Sequence, residues 1–437
     1  MEIYLQNTVP VEKLCGEFEC RCGGHKTLTR DIRFGAGASA ALPAALETAV
    51  AKNVKLLMVT SESTDKAAAE RLAAQLRKDY IVTKKIFAPC APSLECAEGL
   101  VPLAGPETRA VVAVGGQSVC DVAKYAARAS GLPLFFVPTT PAVLNCLQPY
   151  SALFDGNMRE LYHTAAPHTL IADLDLMTAA PPAHAAAAFG HICALSVACF
   201  DRYFSSVVNK DYYCKETAAL IRAAQDAVIA DSEPLAEHDR AALCRLCEQA
   251  VRCAVYLQTA DPRHAFMGGE TLFALTQELY FIKNERTRRL LGENAFIAAR
   301  LLARVYKYVT GEERLPEYAP FDDSLRLNSI REYLGVPEHA SFKNLARVPD
   351  AADFENYRYL AREYKDELSR AAADCCALLT KAEKGFKRLY PDSGLWTRKY
   401  LTEKDMRVIL ALSPDIKPQY TMLTFMKHMG LLDPYLA

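Results

Sequence analysis

The apolar positions of this chain change their period partway along. Up to Asp173, short unbroken aliphatic runs alternate with amphipathic stretches. Residues 54–60, Val-Lys-Leu-Leu-Met-Val-Thr, form a run of the length and composition of a strand buried on both faces. A polar segment follows at 61–65. Ala69, Leu72, Ala73 and Leu76 then share one face at helical spacing. A strand over 81–87, a helix over 95–103, a strand over 110–114, a helix over 119–129 and a strand over 134–137 continue the alternation. Such alternation predicts a parallel sheet with right-handed crossovers. Beyond Asp173 the period is helical, over 179–204, 215–231, 239–258, 270–282 and 294–308, with no convincing strand among them. A Pro- and charge-rich connector spans 316–328, and 330–437 is mainly helical with a Pro-rich break at 413–418. The expected organisation is an α/β nucleotide-binding domain over 1–173 and an all-α-helical domain over 174–437.

Length and composition fit that division. The 437 residues suit two or three domains, and 51% hydrophobic with 24% charged residues is ordinary for a globular protein with a full core. Lys and Arg total 51 against 52 Asp and Glu. This balance argues against general nucleic-acid binding, which needs a basic surplus to displace counterions. Fifteen cysteines are many, but disulfide frameworks belong to short secreted chains, and Cys120, Cys193, Cys199 and Cys253 sit in apolar stretches. The first residues, Met-Glu-Ile-Tyr-Leu-Gln, lack a basic region followed by an apolar run, so a cytoplasmic home is expected. Residues 185–200 are apolar, but Gly190, His191 and the Asp201-Arg202 pair make a buried core helix the expected reading, not a membrane span.

The chemistry gathers at the ends of two expected strands. Val111 to Val114 run into Gly115-Gly116, and a helix begins at once. Glycines allow close backbone approach, and a helix N-terminus offers free N–H groups and a positive dipole end to a phosphate. Ser118 is expected to cap that helix or bond a phosphate oxygen. A plain strand-to-helix turn is the alternative, and the G-x-G-x-x-G fingerprint is absent. The next strand ends in Pro138-Thr139-Thr140-Pro141, on the same carboxyl edge, where open parallel sheets bind ligands. Gly115, Gly116, Gln117, Ser118, Val119, Thr139, Thr140 and Gln148 are the expected nucleotide-binding residues, in a cleft between sheet and helical domain. Glu62, after the first long strand, favours NAD, while the neighbouring Thr60, Ser61 and Ser63 tolerate NADP, so the choice stays open.

This order of motifs resembles the iron-dependent alcohol dehydrogenase and dehydroquinate synthase superfamily, and within it the sn-glycerol-1-phosphate dehydrogenase family. Cys20-Arg21-Cys22-Gly23-Gly24-His25 is similar to a Cys-x-Cys-Gly-x-x-His stretch of bacterial members. Residues 167–175 resemble the crossing into the helical domain, Asp211-Tyr212-Tyr213-Cys214 a Glu-Tyr-Tyr-Cys segment, and Gln419-Tyr420-Thr421-Met422-Leu423 a C-terminal Arg-Tyr-Thr-Ile-Leu signature. The resemblance implies a Rossmann-like sheet domain followed by a dehydroquinate synthase-like helical domain, and a homodimer. It also implies NAD(P)-dependent reduction of dihydroxyacetone phosphate, with a Zn or Ni ion polarising the carbonyl.

Against the pattern of that family the chain departs at the metal. His191 stands where the resemblance places an Asp ligand, Leu275 where it places the first His ligand and Leu291 where it places the second. Leu144 occupies the position of an Asp that contacts substrate. Leucine has no lone pair to give, so the inherited Zn or Ni site is expected to be empty. Loss of a charge stabiliser costs several kcal/mol of barrier, so the family reaction is expected to be weakened or altered. His191 is then the candidate catalytic residue, a general acid in place of the metal, because imidazole titrates near neutrality. The alternative is a pseudoenzyme that binds a nucleotide or metabolite in a regulatory or assembly role. A lyase resembling dehydroquinate synthase needs the same missing ligands.

Other groups have blander readings beside sharper ones. His264 could rebuild a metal site with His191 and Glu270, but a surface histidine is the default. Cys20, Cys22 and His25, with Cys15 nearby, have ligand chemistry suited to zinc. They lack a second CxxC-type partner, so a structural or interface role is preferred. Lys124 either reaches a phosphate or pairs with Asp121 one turn away. Cys375 and Cys376 read as core packing, and the Lys381 to Arg388 cluster as a solvated face.

Overall fold

The computed structural model describes residues 6–88, 92–156, 158–260, 266–312, 323–335, 350–391 and 400–432. The chain begins with a short antiparallel pair, β1 (Glu17–Phe18) and β2 (His25–Lys26). The main sheet then comprises β3 (Asp31–Gly35), β4 (Lys55–Ser61), β5 (Ile81–Phe87), β6 (Thr108–Gly115), β7 (Leu134–Pro138) and, after a hairpin of β8 (Tyr150–Asp155) and β9 (Met158–His163), β10 (Thr169–Asp173). Its order is β3-β10-β7-β6-β4-β5, and every pairing is parallel. Helices α1 (Leu42–Glu47), α2 (Glu70–Leu76), α3 (Leu94–Glu98) and α4 (Gln117–Ala129) fall between consecutive strands.

Period-two alternation divides the core between the two faces of the sheet. Leu57, Val59, Val111, Ala113, Phe136, Leu170 and Ala172 bury one face, together with Val119, Cys120 and Ala123 of α4. Leu56, Met58, Ala110, Val112, Val114, Phe135 and Ile171 bury the other, against Leu42 and Leu46 of α1 and Leu72 and Leu76 of α2. Coverage of both faces explains why β4 and β6 read as unbroken aliphatic runs. β3, β10 and the β8–β9 hairpin were not among the expected strands. β3 carries Asp31 and Arg33 among its five residues, and β10 carries only three apolar residues between Thr169 and Asp173. Both take their places through their partner strands.

Past the sheet come α5 (Pro182–Val208), α6 (Lys215–Ala230), α7 (Arg240–Ala260), α8 (Gly269–Lys283), α9 (Leu291–Gly311), α10 (Asp323–Leu334), α11 (Ala351–Glu363), α12 (Lys365–Leu389), α13 (Glu403–Leu412) and α14 (Met422–His428). By contact the chain divides into one unit of 1–188 and 219–265 and another of 189–218 and 266–437. These units do not divide at a single point after Asp173. The reason is the apolar face of α7: Cys247, Val251, Ala254 and Val255 belong to the core beneath the sheet.

In the second unit α9 packs on α12 through Phe296 and Phe386, whose rings stack with centroids 4.5 Å apart. Arg300 of α9 also donates to Glu383 of α12, Nε to Oε2 at 2.8 Å. α5 is long and apolar enough to cross a membrane by composition alone, but 78% of its most apolar window is buried within the protein, as in a core helix. The expected connector over 316–328 lies outside the described residues up to 322, and its remainder begins α10.

Candidate nucleotide and substrate sites

The carboxyl ends of β4, β6 and β7 lie side by side, since Thr60 is in register with Val114, and Gly115 with Pro138. From β4 the chain moves outward to β5 and then returns to β6 on the other flank of β4. The β4–β6 boundary is thus a topological switch point, where open α/β sheets form their ligand crevice. Here Thr64 Oγ1 donates to the Val114 carbonyl at 3.3 Å and pairs with Thr60 Oγ1 at 2.9 Å. Glu62 is exposed beside it.

Gly115 turns the chain into α4. A Cβ there would sit 2.8 Å from Val119 Cγ2, closer than packed carbons tolerate, so the position admits only hydrogen. Gly116 is the N-cap. Ser118 does not cap the helix: no side-chain cap bond is made at this N-terminus among the described residues, and Ser118 is exposed. Thr139 N donates to the Gly115 carbonyl at 3.1 Å, and Thr140 Oγ1 accepts from Ala142 N at 3.0 Å. The two loops expected to hold a nucleotide are therefore bonded together. Two buried oxygens beside them, Thr139 Oγ1 and Gln117 Oε1, have no hydrogen-bond partner among the described residues.

Lys124 takes the second of its two expected roles. Its ammonium is fully buried, 3.3 Å from Asp121 Oδ1, and donates to the carbonyls of Asn145 at 3.4 Å, Gln148 at 3.1 Å and Tyr150. It fastens the segment after Pro-Thr-Thr to α4 and does not reach for a phosphate. Gln117 Nε2 also donates to Asp121, at 2.9 Å. Burial pushes the Asp121 carboxyl up, opposed by the Lys124 charge. Gln148 is buried, its Nε2 donating to Asn145 Oδ1 at 3.3 Å, and Leu144 is buried close by in sequence.

The helical unit holds the three positions expected to have carried metal ligands. His191 is buried on α5, Leu275 is buried on α8, and Leu291 is the first residue of α9. A Cβ on Gly190 would lie 2.9 Å from the Gly292 carbonyl and 3.1 Å from Phe296 Cβ. Thus α5 and α9 meet at backbone contact one residue from His191 and from Leu291. Burial pushes the His191 imidazole down to about 4, so it is neutral at physiological pH. The expected titration near neutrality does not survive desolvation. His264 lies outside the described residues.

A buried acidic group escaped the sequence reading. Asp201 accepts from Gly269 N at 2.6 Å and Met422 N at 2.8 Å, with Tyr306 Oη at 3.4 Å. Glu270 is equally buried; Thr271 Oγ1 donates to its Oε1 at 2.9 Å, while Oε2 has no partner among the described residues. Burial and then the Asp201 charge push Glu270 up to about 8. The backbone donors on Asp201 favour its anion, although burial pushes it up to about 7. Glu270 is the neutral acid of the pair at pH 7. The signal in sequence was a charge, Asp201, at the end of a long apolar run, which had been read only as the end of a core helix.

Known proteins resemble this chain in sequence and in fold. A family model described as iron-containing alcohol dehydrogenase matches residues 33–181. A glycerol-1-phosphate dehydrogenase [NAD(P)+] of Bacillus licheniformis is 25% identical over 310 residues, covering 69% of this chain and 76% of the relative. The Hyperthermus butylicus protein of the same description is 26% identical over 253 residues, covering 58% and 72%. Among solved structures, an iron-containing alcohol dehydrogenase from Corynebacterium glutamicum superposes with a TM-score of 0.59 at 17% identity, over 94% of this chain and 96% of its own. A glycerol dehydrogenase from Schizosaccharomyces pombe does so with a TM-score of 0.54 at 14% identity, over 91% and 95%. Residues 33–181 thus match the iron-containing alcohol dehydrogenase family, glycerol-1-phosphate dehydrogenases are sequence relatives of the chain, and its fold is similar to that of an iron-containing alcohol dehydrogenase.

Proposed function

We propose that this protein is an NAD(P)-dependent oxidoreductase related to glycerol-1-phosphate dehydrogenase, acting on a small phosphorylated or polyol substrate with weakened or altered activity. The observation that carries the reading is the Gly115 turn. It is a cradle that a Cβ would fill, bonded to Thr139 and flanked by the oxygens of Thr139 and Gln117, which have no partner among the described residues. These features fit a dinucleotide. The N–H groups from Gly116 to Val119 would hold its pyrophosphate, and Thr139, Thr140 and Gln148 would flank its nicotinamide side. When bound, the nicotinamide supplies or accepts the hydride.

The inherited metal position does not fit a divalent ion. One imidazole and two isobutyl side chains occupy its three ligand positions, and two of those three have no donor atom. In this reading His191 faces the substrate and donates a hydrogen bond to its oxygen from a neutral ring N–H. Burial keeps that ring uncharged, so it polarises less strongly than a cation. Leu144, Leu275 and Leu291 also favour the second reading, a nucleotide- or metabolite-binding relative without turnover.

Titration with NADH and NADPH, followed by assay of dihydroxyacetone phosphate reduction with and without added Zn or Ni, separates these readings. Nucleotide binding with slow turnover that added metal leaves unchanged supports the proposal, and binding without turnover supports the second reading. Binding of neither nucleotide overturns both. Turnover at rates typical of metal-loaded relatives, dependent on added metal, overturns the loss of the site. The same reading keeps a cytoplasmic home and a homodimer, which sedimentation checks.

A further inference from the structure

We propose that the β1–β2 hairpin is a zinc-binding knuckle, formed by Cys20, Cys22 and His25 and separate from any redox chemistry of the chain. The ligand atoms of these three residues lie within 4.8 Å of one another. β1 and β2 are only two residues each, and Phe18 pairs with His25 where the loop begins and ends. Gly23 and Gly24 adopt φ of 115° and 103°, a region disfavoured for other residues, and Gly23 N donates to the Cys20 carbonyl at 3.0 Å. This tight return brings the two thiols of a Cys-x-Cys pair back onto the imidazole three residues later.

The imidazole is already in the tautomer that a metal needs. His25 Nδ1 lies 2.8 Å from the Thr259 carbonyl. A carbonyl only accepts, so Nδ1 carries the proton and Nε2 presents its lone pair. That lone pair meets Cys22 Sγ at 3.4 Å. A backbone carbonyl fixing one ring nitrogen is the usual outer partner of a metal-bound histidine. Zinc bonds of about 2.3 Å to sulfur and about 2.0 Å to nitrogen, set tetrahedrally, require an S···N edge of about 3.5 Å. The observed separation meets that requirement without rearrangement. Two thiolates and an imidazole are the soft donor set that selects zinc over hard cations. His25 is buried and Thr259 lies at the C-terminal end of α7, so the ion would pin the hairpin to that helix. A fourth donor, thiol or water, completes the tetrahedron.

Zinc content after zinc-replete expression and gel filtration tests this. We expect about one zinc per chain, lowered at least about tenfold in each of Cys20→Ser, Cys22→Ser and His25→Ala. Cobalt exchanged into the wild-type chain should show thiolate-to-cobalt charge transfer and tetrahedral d–d bands. Cys15→Ser and Cys214→Ser, measured alongside, decide whether a thiol or water fills the fourth position. If a serine variant fails to fold, His25→Cys retains a donor and must keep zinc while shifting the cobalt spectrum. Zinc that persists in all three variants is held elsewhere and overturns the proposal. So does a chain that takes up no zinc and whose Cys20 and Cys22 react freely with a thiol reagent. Neither outcome touches nucleotide binding, so failure here is distinguishable from failure of the oxidoreductase reading.

Discussion

Glutamine at position 270 is the most direct probe of the buried acid pair. Glu270 is pushed from its usual 4.5 up to about 8. Its folded form therefore keeps a proton that the unfolded chain has already released. The sign follows from linkage: stability is full below the unfolded value, falls as pH rises between the two values, and levels off above the folded one. Each unit is worth about 1.4 kcal/mol, so the interval between 4.5 and 8 amounts to at most roughly 5 kcal/mol. Gln is isosteric with the protonated acid, cannot ionise, and still accepts from Thr271 Oγ1 through its amide oxygen. Glu270→Gln should match the wild type at about pH 5 and exceed it by several kcal/mol at about pH 8.5. Urea unfolding followed by helical ellipticity, repeated across that range, measures the gap. Comparing the two proteins cancels the titrating groups outside this acid pair. Stability curves that run parallel from one end to the other would falsify the assignment of Glu270 as the neutral member of the pair.

Three further outcomes follow from the same contacts. Gly115→Ala places a Cβ against Val119 Cγ2 and should weaken NADH or NADPH binding by about tenfold or more, with Gly115→Ala/Val119→Ala recovering part of the loss in a fluorescence titration. Lys124→Met strands the buried Asp121 and should cost about 3–5 kcal/mol in urea unfolding, whereas adding Asp121→Asn should recover most of it. The triple exchange His191→Asp, Leu275→His, Leu291→His should create binding of Zn or Ni and raise dihydroxyacetone phosphate reduction by at least about a hundredfold. Calorimetry showing no new metal binding would refute the correspondence of these three positions with the ligand positions that the resemblance implies.

Signals confined to one element were legible in the sequence, and signals shared between elements were not. The aliphatic runs of β4 and β6 announce themselves because both faces are buried, and Gly115-Gly116 announces a tight turn because no side chain fits. β10 is equally buried, yet its three apolar residues are too few to declare a period. The place of α7 beneath the sheet was hidden because an apolar stripe states that a helix is buried, not what covers it. Lys124 shows the same limit. Spacing offered Asp121 as a partner, but the carbonyls of Asn145, Gln148 and Tyr150 that cage its ammonium come from a loop with no pattern of its own and from the first residue of β8. His191 is expected from its residue type to titrate near neutrality, and burial prevents it, since proximity in sequence does not reveal desolvation.

The abutment of Gly190 on Gly292 has an evolutionary consequence. Where Gly190 meets the Gly292 carbonyl, Phe296 and Phe386, the helix spacing is set by the main chain and these two phenylalanines. A lineage can exchange a ligand for a hydrocarbon there, or reverse the exchange, one codon at a time without remodelling the scaffold. Such a fold tolerates drift between catalyst and mere binder far more readily than one in which the ion itself holds the helices apart.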